Sequence, residues 1–238
     1  MEPASASVPT SGSPLAGIIA TAKAVITDPR SFFRSMPRTG GFIDPLIFVA
    51  AMSIVSAIVA IPIWLLGIGP YSAFPGVIFA FVIAPLLTAL SSFVGAAVLF
   101  AIWHFLGSRE PYETAYRCAA YLSAVSPITV LASIVPYIGG IAIVIWSFFL
   151  VVIASEEVHG IERQKARLVF GIISVVFALM SISSQRVARE MQTRSDAVTE
   201  KLESLDEMSP EEAGKAVGEF MKGLQGAVEE KPAEDPPE

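Results

Sequence analysis

The sequence predicts an all-α fold, a polytopic membrane helix bundle, and three observations carry that reading. Of 238 residues, 53% are hydrophobic and 16% charged, with a mean hydropathy of +0.63, whereas soluble domains are about 45–50% apolar and about 25% charged. The apolar excess is concentrated, because between Leu46 and Ser184 runs of helix length follow one another with short connections. The charge is segregated as well. Residues 1–182 hold nine Lys/Arg and eight Asp/Glu, and residues 183–238 hold seven and fourteen, so +1 and −7 compose the net −6. The acidity therefore belongs to a C-terminal tail. The same composition excludes collagen-like, disulfide-framework and disordered classes, and a single cysteine, Cys118, excludes an internal disulfide. No basic stripe with interleaved aromatics suggests nucleic acid.

Met1–Pro14 is rich in Ser, Pro and Ala and reads as a disordered N-terminus without the basic n-region of a secretory signal. Residues 15–41 read as an interfacial amphipathic segment. Leu15, Ile18, Ile19, Ala22, Val25 and Ile26 fall at helical spacing over a length too short to cross a bilayer; the alternative is a disordered tail that merely approaches the membrane. Asp28-Pro29 then has the form of an N-cap followed by proline at the first helical position, with Phe32 and Phe33 as headgroup anchors.

Residues 42–185 are expected to form a five-span membrane domain, since a helix needs roughly 20 apolar residues to cross about 30 Å of hydrocarbon. The spans are 46–66, 78–105, 116–135, 141–155 and 167–184. Pro85 is placed to kink the second and Pro127 lies in the third, while Pro136 to Gly140 read as a tight turn. A four-span alternative makes 127–150 a re-entrant hairpin. Residues 186–228 read as a partly helical acidic tail. Val187, Met191, Val198, Leu202 and Leu205 lie on one helical face, and a capping box at Ser209 to Glu212 opens a further helix. Residues 229–238 read as disordered.

Nine basic residues precede the first span or fill the second and fourth connections, and none lies in connections 67–77 and 136–140. The positive-inside rule then makes the amino terminus cytoplasmic, the membrane being the cell membrane if the source is prokaryotic, and five spans place the tail on the opposite side. Arg186, Arg189 and Arg194, close to the fifth span, pull against that placement.

Groups able to do chemistry are few. His104 adjoins Trp103 near the end of the second span and reads as a neutral interfacial histidine rather than a relay. Asp44 and Arg117 lie at span boundaries, where long side chains reach the interface. No ionisable group lies near the middle of a span, which counts against an ion-coupled transporter. Glu156 and His159 have the i, i+3 spacing of a metal half-site, but only one such motif occurs and the chain has only two histidines. No nucleophile elbow or phosphate-cradling loop appears. No catalytic residue, cofactor or metal is expected. Ala80, Ala84, Thr88, Ser92 and Ala96 form a row of small residues at spacing four, suited to close helix packing within the bundle or between copies. Ser53 and Ala57 offer it a complementary surface.

An ordered series over residues 108–171 resembles the Yip domain family of Ypt/Rab-GTPase-interacting membrane proteins. It comprises Tyr116-Arg117, Ala120-Tyr121, Pro127, Val135-Pro136-Tyr137-Ile138-Gly139, Ile145-Trp146, Glu157-Val158-His159-Gly160 and Lys165-Ala166. Asp28 to Phe33 and Asp44-Pro45-Leu46 are similar to the family's entry region, so the resemblance covers about 15–185. It implies a five-span bundle with a cytoplasmic amino terminus and points to Tyr121, Pro127, Pro136, Gly139, Trp146, Glu157, His159 and Gly160 as positions of structural or partner role. Eukaryotic relatives interact with small GTPases. This sequence lacks their long cytosolic amino-terminal domain and "DLYGP" motif, which argues against GTPase binding and aligns it with compact prokaryotic members. The expected function is a non-catalytic membrane scaffold or adaptor, acting on membrane lipid, other membrane proteins or itself. The competing expectation is a small-solute transporter or channel, with broken helices at Pro85 and Pro127.

Overall fold

The computed structural model describes residues 14–67 and 76–206, which form helices and connections and no strand. Of the disordered N-terminus expected at 1–14 only Pro14 is described, and it opens a helix; the rest, the disordered segment expected at 229–238 and the second tail helix from 209 lie outside the described residues. The chain divides into two units, Met1–Gln185 and Arg186–Glu238.

In the first unit, α1 (Pro14–Thr27) and α2 (Pro29–Ser35) meet at Asp28, whose carboxylate accepts from the Ser31 amide. That cap and Pro29 start α2 where the sequence places it. Neither helix merely rests at an interface. Val25 of α1 is fully buried with Phe48, Met52 and Ala124, although Leu15 and Ile19 remain exposed. The headgroup-anchor reading of Phe32 and Phe33 is corrected. Phe33 packs into the core with Trp103, Val152 and Phe170, and the Phe32 ring stands edge-on to Tyr121 at 5.2 Å.

Four helices are long and apolar enough to cross a membrane: α3 (Ile43–Leu65), the Phe79–Phe105 helix, α7 (Ile138–Glu157) and α8 (Arg163–Asp206) over Arg163–Ser195. Their exposed faces carry Ile47, Ile58, Leu86, Leu90, Val94, Leu168, Ile172 and Leu179, an apolar surface suited to hydrocarbon. The second of them begins as a π-helical turn, Phe79–Ile83, continuing into α4 (Ala84–Phe105). Pro85 lacks an amide donor and its ring crowds the carbonyl four residues back. The ladder slips by one residue there, and the Ala84 amide reaches Phe79.

The expected third span, 116–135, is not one helix. It is α5 (Tyr112–Leu122), a 3₁₀ turn at Ser123–Val125 and α6 (Ser126–Ala132), broken just before Pro127 as the second span is before Pro85. Together they run from one end of the bundle, where Arg117 meets Gly41, to the other, where Val130 packs on Ala60 and Ile63. Helix α5 is central. Thr114, Ala115, Tyr116, Arg117, Cys118 and Ala120 are all buried, against α3, α4 and α7. Protein rather than lipid covers it, so it tolerates Thr and Arg.

Helix α7 is continuous from Ile138 to Glu157, so 127–150 is not a re-entrant hairpin. The expected turn before it is a γ-turn, with Tyr137 at φ 63° and the Ile138 amide 2.7 Å from the Pro136 carbonyl. The Gln185 side chain accepts from the Tyr137 amide at 2.8 Å. Gly139 is required there, because a Cβ would lie 1.7 Å from the Ala132 carbonyl oxygen. In the second unit, residues 186–206 are helical, within α8, and Val187, Met191 and Val198 are exposed.

Candidate functional site

The ends of α3, α4, α5, α7 and α8 that carry the charged residues converge on residues 28–42. Two helix terminations build the base. After α4, Gly107 takes φ 102° and the Ser108 amide reaches back to the Trp103 carbonyl at 2.9 Å. After α7, Gly160 takes φ 62° and the Ile161 amide reaches the Ser155 carbonyl at 3.0 Å. The first is a Schellman closure, the second is one residue wider, and both place their glycine in the left-handed region, which other residues rarely adopt. Set side by side, they bring Ser108 and His159 together, with Ser108 Oγ 2.8 Å from His159 Nδ1.

Beneath this pair, the Trp103 ring stacks on the His159 imidazole with centroids 3.9 Å apart, and its Nε1 donates to Ser155 Oγ at 2.8 Å. Trp103 and Ser155 are fully buried. His159 is nearly so, and its Nε2 has no hydrogen-bond partner among the described residues. Burial, reinforced by the nearby Arg38 charge, pushes its pKa down to about 4, so the imidazole is neutral at pH 7.

Around the base, arginines from α2 and the following segment reach carboxylates at the end of α7. Arg30 bonds Glu156 and Glu157 at 3.2 and 3.1 Å, and Arg34 bonds Glu157 at 2.9 Å. Arg163, opening α8, grips Glu156 with two nitrogens at 2.6 and 2.9 Å. Arg38 joins Glu110 at 2.6 Å. Helix α5 supplies the inner side. Arg117 donates to the Pro37 and Gly41 carbonyls at 2.7 and 2.8 Å, Thr114 donates to the Arg38 carbonyl at 3.1 Å, and Glu113 accepts from the Gly41 amide at 2.7 Å. The interfacial reading of Arg117 is thereby corrected, since only 3% of it is exposed.

The expected positions fall into separate groups. Glu157, His159 and Gly160 form part of this cap, and Tyr121 adjoins it through Phe32 and Phe48, each 5.2 Å away. Pro127, Pro136 and Gly139 lie toward the other end, while Trp146 is mid-α7, 5.8 Å from Phe149, with a buried indole N–H lacking a partner among the described residues. The small-residue row faces the chain's own helices. Ala80 and Ala96 are buried, Ser53 Oγ is 3.5 Å from Thr88 Oγ1, and Ser92 Oγ is 3.3 Å from the Tyr116 hydroxyl. Glu156 and His159 do not share a site: one carboxylate is taken by Arg30 and Arg163, and the imidazole turns to Ser108. His104 is exposed beside Phe100. Arg38, Ser108, Glu110, Glu113 and Ser155 were not singled out by sequence; only the glycines after each helix hinted at the closures.

The cap can couple elements mechanically and hold a charge pattern. Among the described residues no three His, Cys, Asp or Glu side chains are grouped to hold a metal ion. Comparison with the curated proteins and with the solved structures finds no match. The Yip1 domain family matches residues 23–184, which include the cap, the α6–α7 turn and most of the four apolar helices long enough to cross a membrane. This chain is a member of the Yip1 domain family, an integral multi-pass membrane protein.

Proposed function

We propose that the protein is a non-catalytic membrane scaffold or adaptor of the Yip type, which organises partner membrane proteins, further copies of itself or the surrounding lipid. The observation that carries this reading is how the family motif's polar groups are used. Glu157 is held by Arg30 and Arg34, and His159 by Ser108 and Trp103. These groups maintain the cap's shape instead of confronting a substrate. Available to partners are the exposed Val187, Met191 and Val198 of α8.

The proposal includes five membrane crossings, the α5–α6 segment being the third, with a cytoplasmic amino terminus and the acidic tail opposite. Helical residues 112–132 span about 31 Å at 1.5 Å per residue, matching the roughly 30 Å hydrocarbon core. A cysteine placed at Ser5 and another at Lys231 test this with a membrane-impermeant maleimide. Labelling from opposite sides supports five crossings, and labelling from the same side removes one.

In-cell crosslinking and mass spectrometry, comparing the full chain with one ending at Gln185, test the adaptor. A reproducible partner lost on truncation assigns recognition to the tail, and one retained assigns it to the bundle. No partner above background, together with solute flux in proteoliposomes, would replace this reading with the transporter.

A further inference from the structure

We propose that the cleft between α4, α7 and α8 is a binding site for an anionic membrane phospholipid, with acyl chain in the cleft and phosphate at Arg167. The inference stands independently of the adaptor reading.

The cleft has a volume of about 880 Å³ and is lined by α4, α5, α7 and α8. That lies within the roughly 300–1,000 Å³ of small-molecule sites. Every lining residue is uncharged, and apart from a few serines the wall is apolar. Protein interiors hold few voids larger than a water molecule, and an empty one forfeits dispersion contacts along its whole lining. An apolar space of this size does not hold ordered water well either. It lies among helices suited to hydrocarbon, so acyl chains are the molecules at hand.

Helix α8 supplies the reason that the cleft exists. It touches α7 near both ends of the cleft, where a Cβ on Gly171 would meet Phe148 at 3.9 Å and one on Gly140 would meet Ser181 at 2.7 Å. Between these points Ser174 and Phe177, three residues apart, line the cleft.

The charge at one end selects the headgroup. Arg167 lies seven and fourteen residues before Ser174 and Ser181, hence on the cleft-lining side of α8, one turn beyond Phe170. It is exposed and makes no ion pair among the described residues, whereas Arg163 and Lys165 on the same helix are paired with Glu156 and Glu162. The carboxylates of Glu110, Glu156 and Glu157 are already taken by arginines. An uncompensated basic mouth over an apolar cleft between membrane helices suits a lipid phosphate.

The full chain is reconstituted in nanodiscs of equal phosphatidylglycerol and phosphatidylcholine, one of them carrying an acyl-chain diazirine, and photolabelled sites are mapped by mass spectrometry. The expected result is label on cleft residues such as Ile102 and Phe177, with about a fivefold preference for phosphatidylglycerol. Arg167→Gln, at an exposed position, should keep the label and abolish the preference. Gly95→Leu should remove the label, since a Cβ at Gly95 meets nothing within 4 Å and a longer side chain enters the cleft; Ser174→Phe should do the same from the opposite wall. Labelling of outward Leu86, Leu90 and Val94 as strong as that of the cleft would overturn the proposal. So would a wild-type preference near one.

Discussion

Arg117 donates from Nη1 to the Gly41 carbonyl at 2.8 Å, joining residues 76 positions apart. A guanidinium on the central helix thus holds the chain at its turn into α3. Gly40 and Gly41 make that turn with φ of 123° and 82°, values that leave the carbonyl turned toward α5 and favour glycine.

Replacing Arg117 with Met should lower stability by roughly 2 kcal/mol, because two partly buried carbonyls lose charged donors. Arg117→Lys should recover only part of it, since one ammonium cannot reproduce the guanidinium's fixed fork. Chemical denaturation of the purified protein in detergent measures both, and equal stability of the Met variant and wild type would contradict the clamp.

Glu157→Gln should loosen α2 without unfolding the bundle, since it removes the carboxylate that Arg30 and Arg34 share. Trypsin should then cut at Arg30, Arg34 and Arg38 several-fold faster, while sites in the spans stay protected. Raising the salt concentration should speed cleavage of the wild type in the same direction, as these arginines are solvent-accessible.

His159 predicts an acid-side loss of stability. Its pKa lies near 4 in the folded protein against about 6.5 in an unfolded chain. Between those values the unfolded state binds the extra proton, so stability is full above about pH 6.5 and declines as pH falls toward 4. The contribution of this group between pH 7.5 and 5 is about 2 kcal/mol. His159→Gln should be less stable at pH 7.5, through loss of the Trp103 stack, and should show a correspondingly flatter profile over that interval. Parallel profiles for variant and wild type would refute the assignment.

Two glycines give a contrast. Gly139→Ala should destabilise by about 2–3 kcal/mol or prevent folding, because its methyl group would overlap the Ala132 carbonyl and α6 and α7 would have to separate. Gly95→Ala enters open space in the interior of α4 and should stabilise by about 0.5–1 kcal/mol through helix propensity. Thermal unfolding of the two in parallel distinguishes close approach from any general preference for glycine.

The membrane helices are legible because lipid leaves a one-dimensional record: a helix bathed in hydrocarbon must be apolar on nearly every side, as α3, α4 and α7 are. Asp28-Pro29 marks α2 by local chemistry in the same way. Helix α5 escapes that logic. Its buried side packs on protein, so Thr114 and Arg117 are satisfied by partners far along the chain, and hydropathy reports them as a boundary. The cap was hidden for the same reason. Arg117 meets Pro37 across 80 positions and Trp103 meets Ser155 across 52, distances that no spacing rule registers. The sequence places a kink at Pro85 but treats 116–135 as one span in spite of Pro127, while the outcomes, a π turn before Pro85 and a 3₁₀ turn before Pro127, depend on how the neighbouring backbone recovers its hydrogen bonds.

The shielding of α5 also bears on how such a chain is made. A segment emerging from the ribosome partitions into lipid by its own apolar character, and an arginine at mid-helix weighs against that step. On the five-crossing reading, α5 reaches its place with help from elements synthesised before it. Residues 28–42 and helices α3 and α4 precede it, and they already hold the Pro37 and Gly41 carbonyls that Arg117 seeks. Assembly would then be ordered from the amino terminus: the first two crossings form a receptive template, and the third is retained by it until α7 closes the other side.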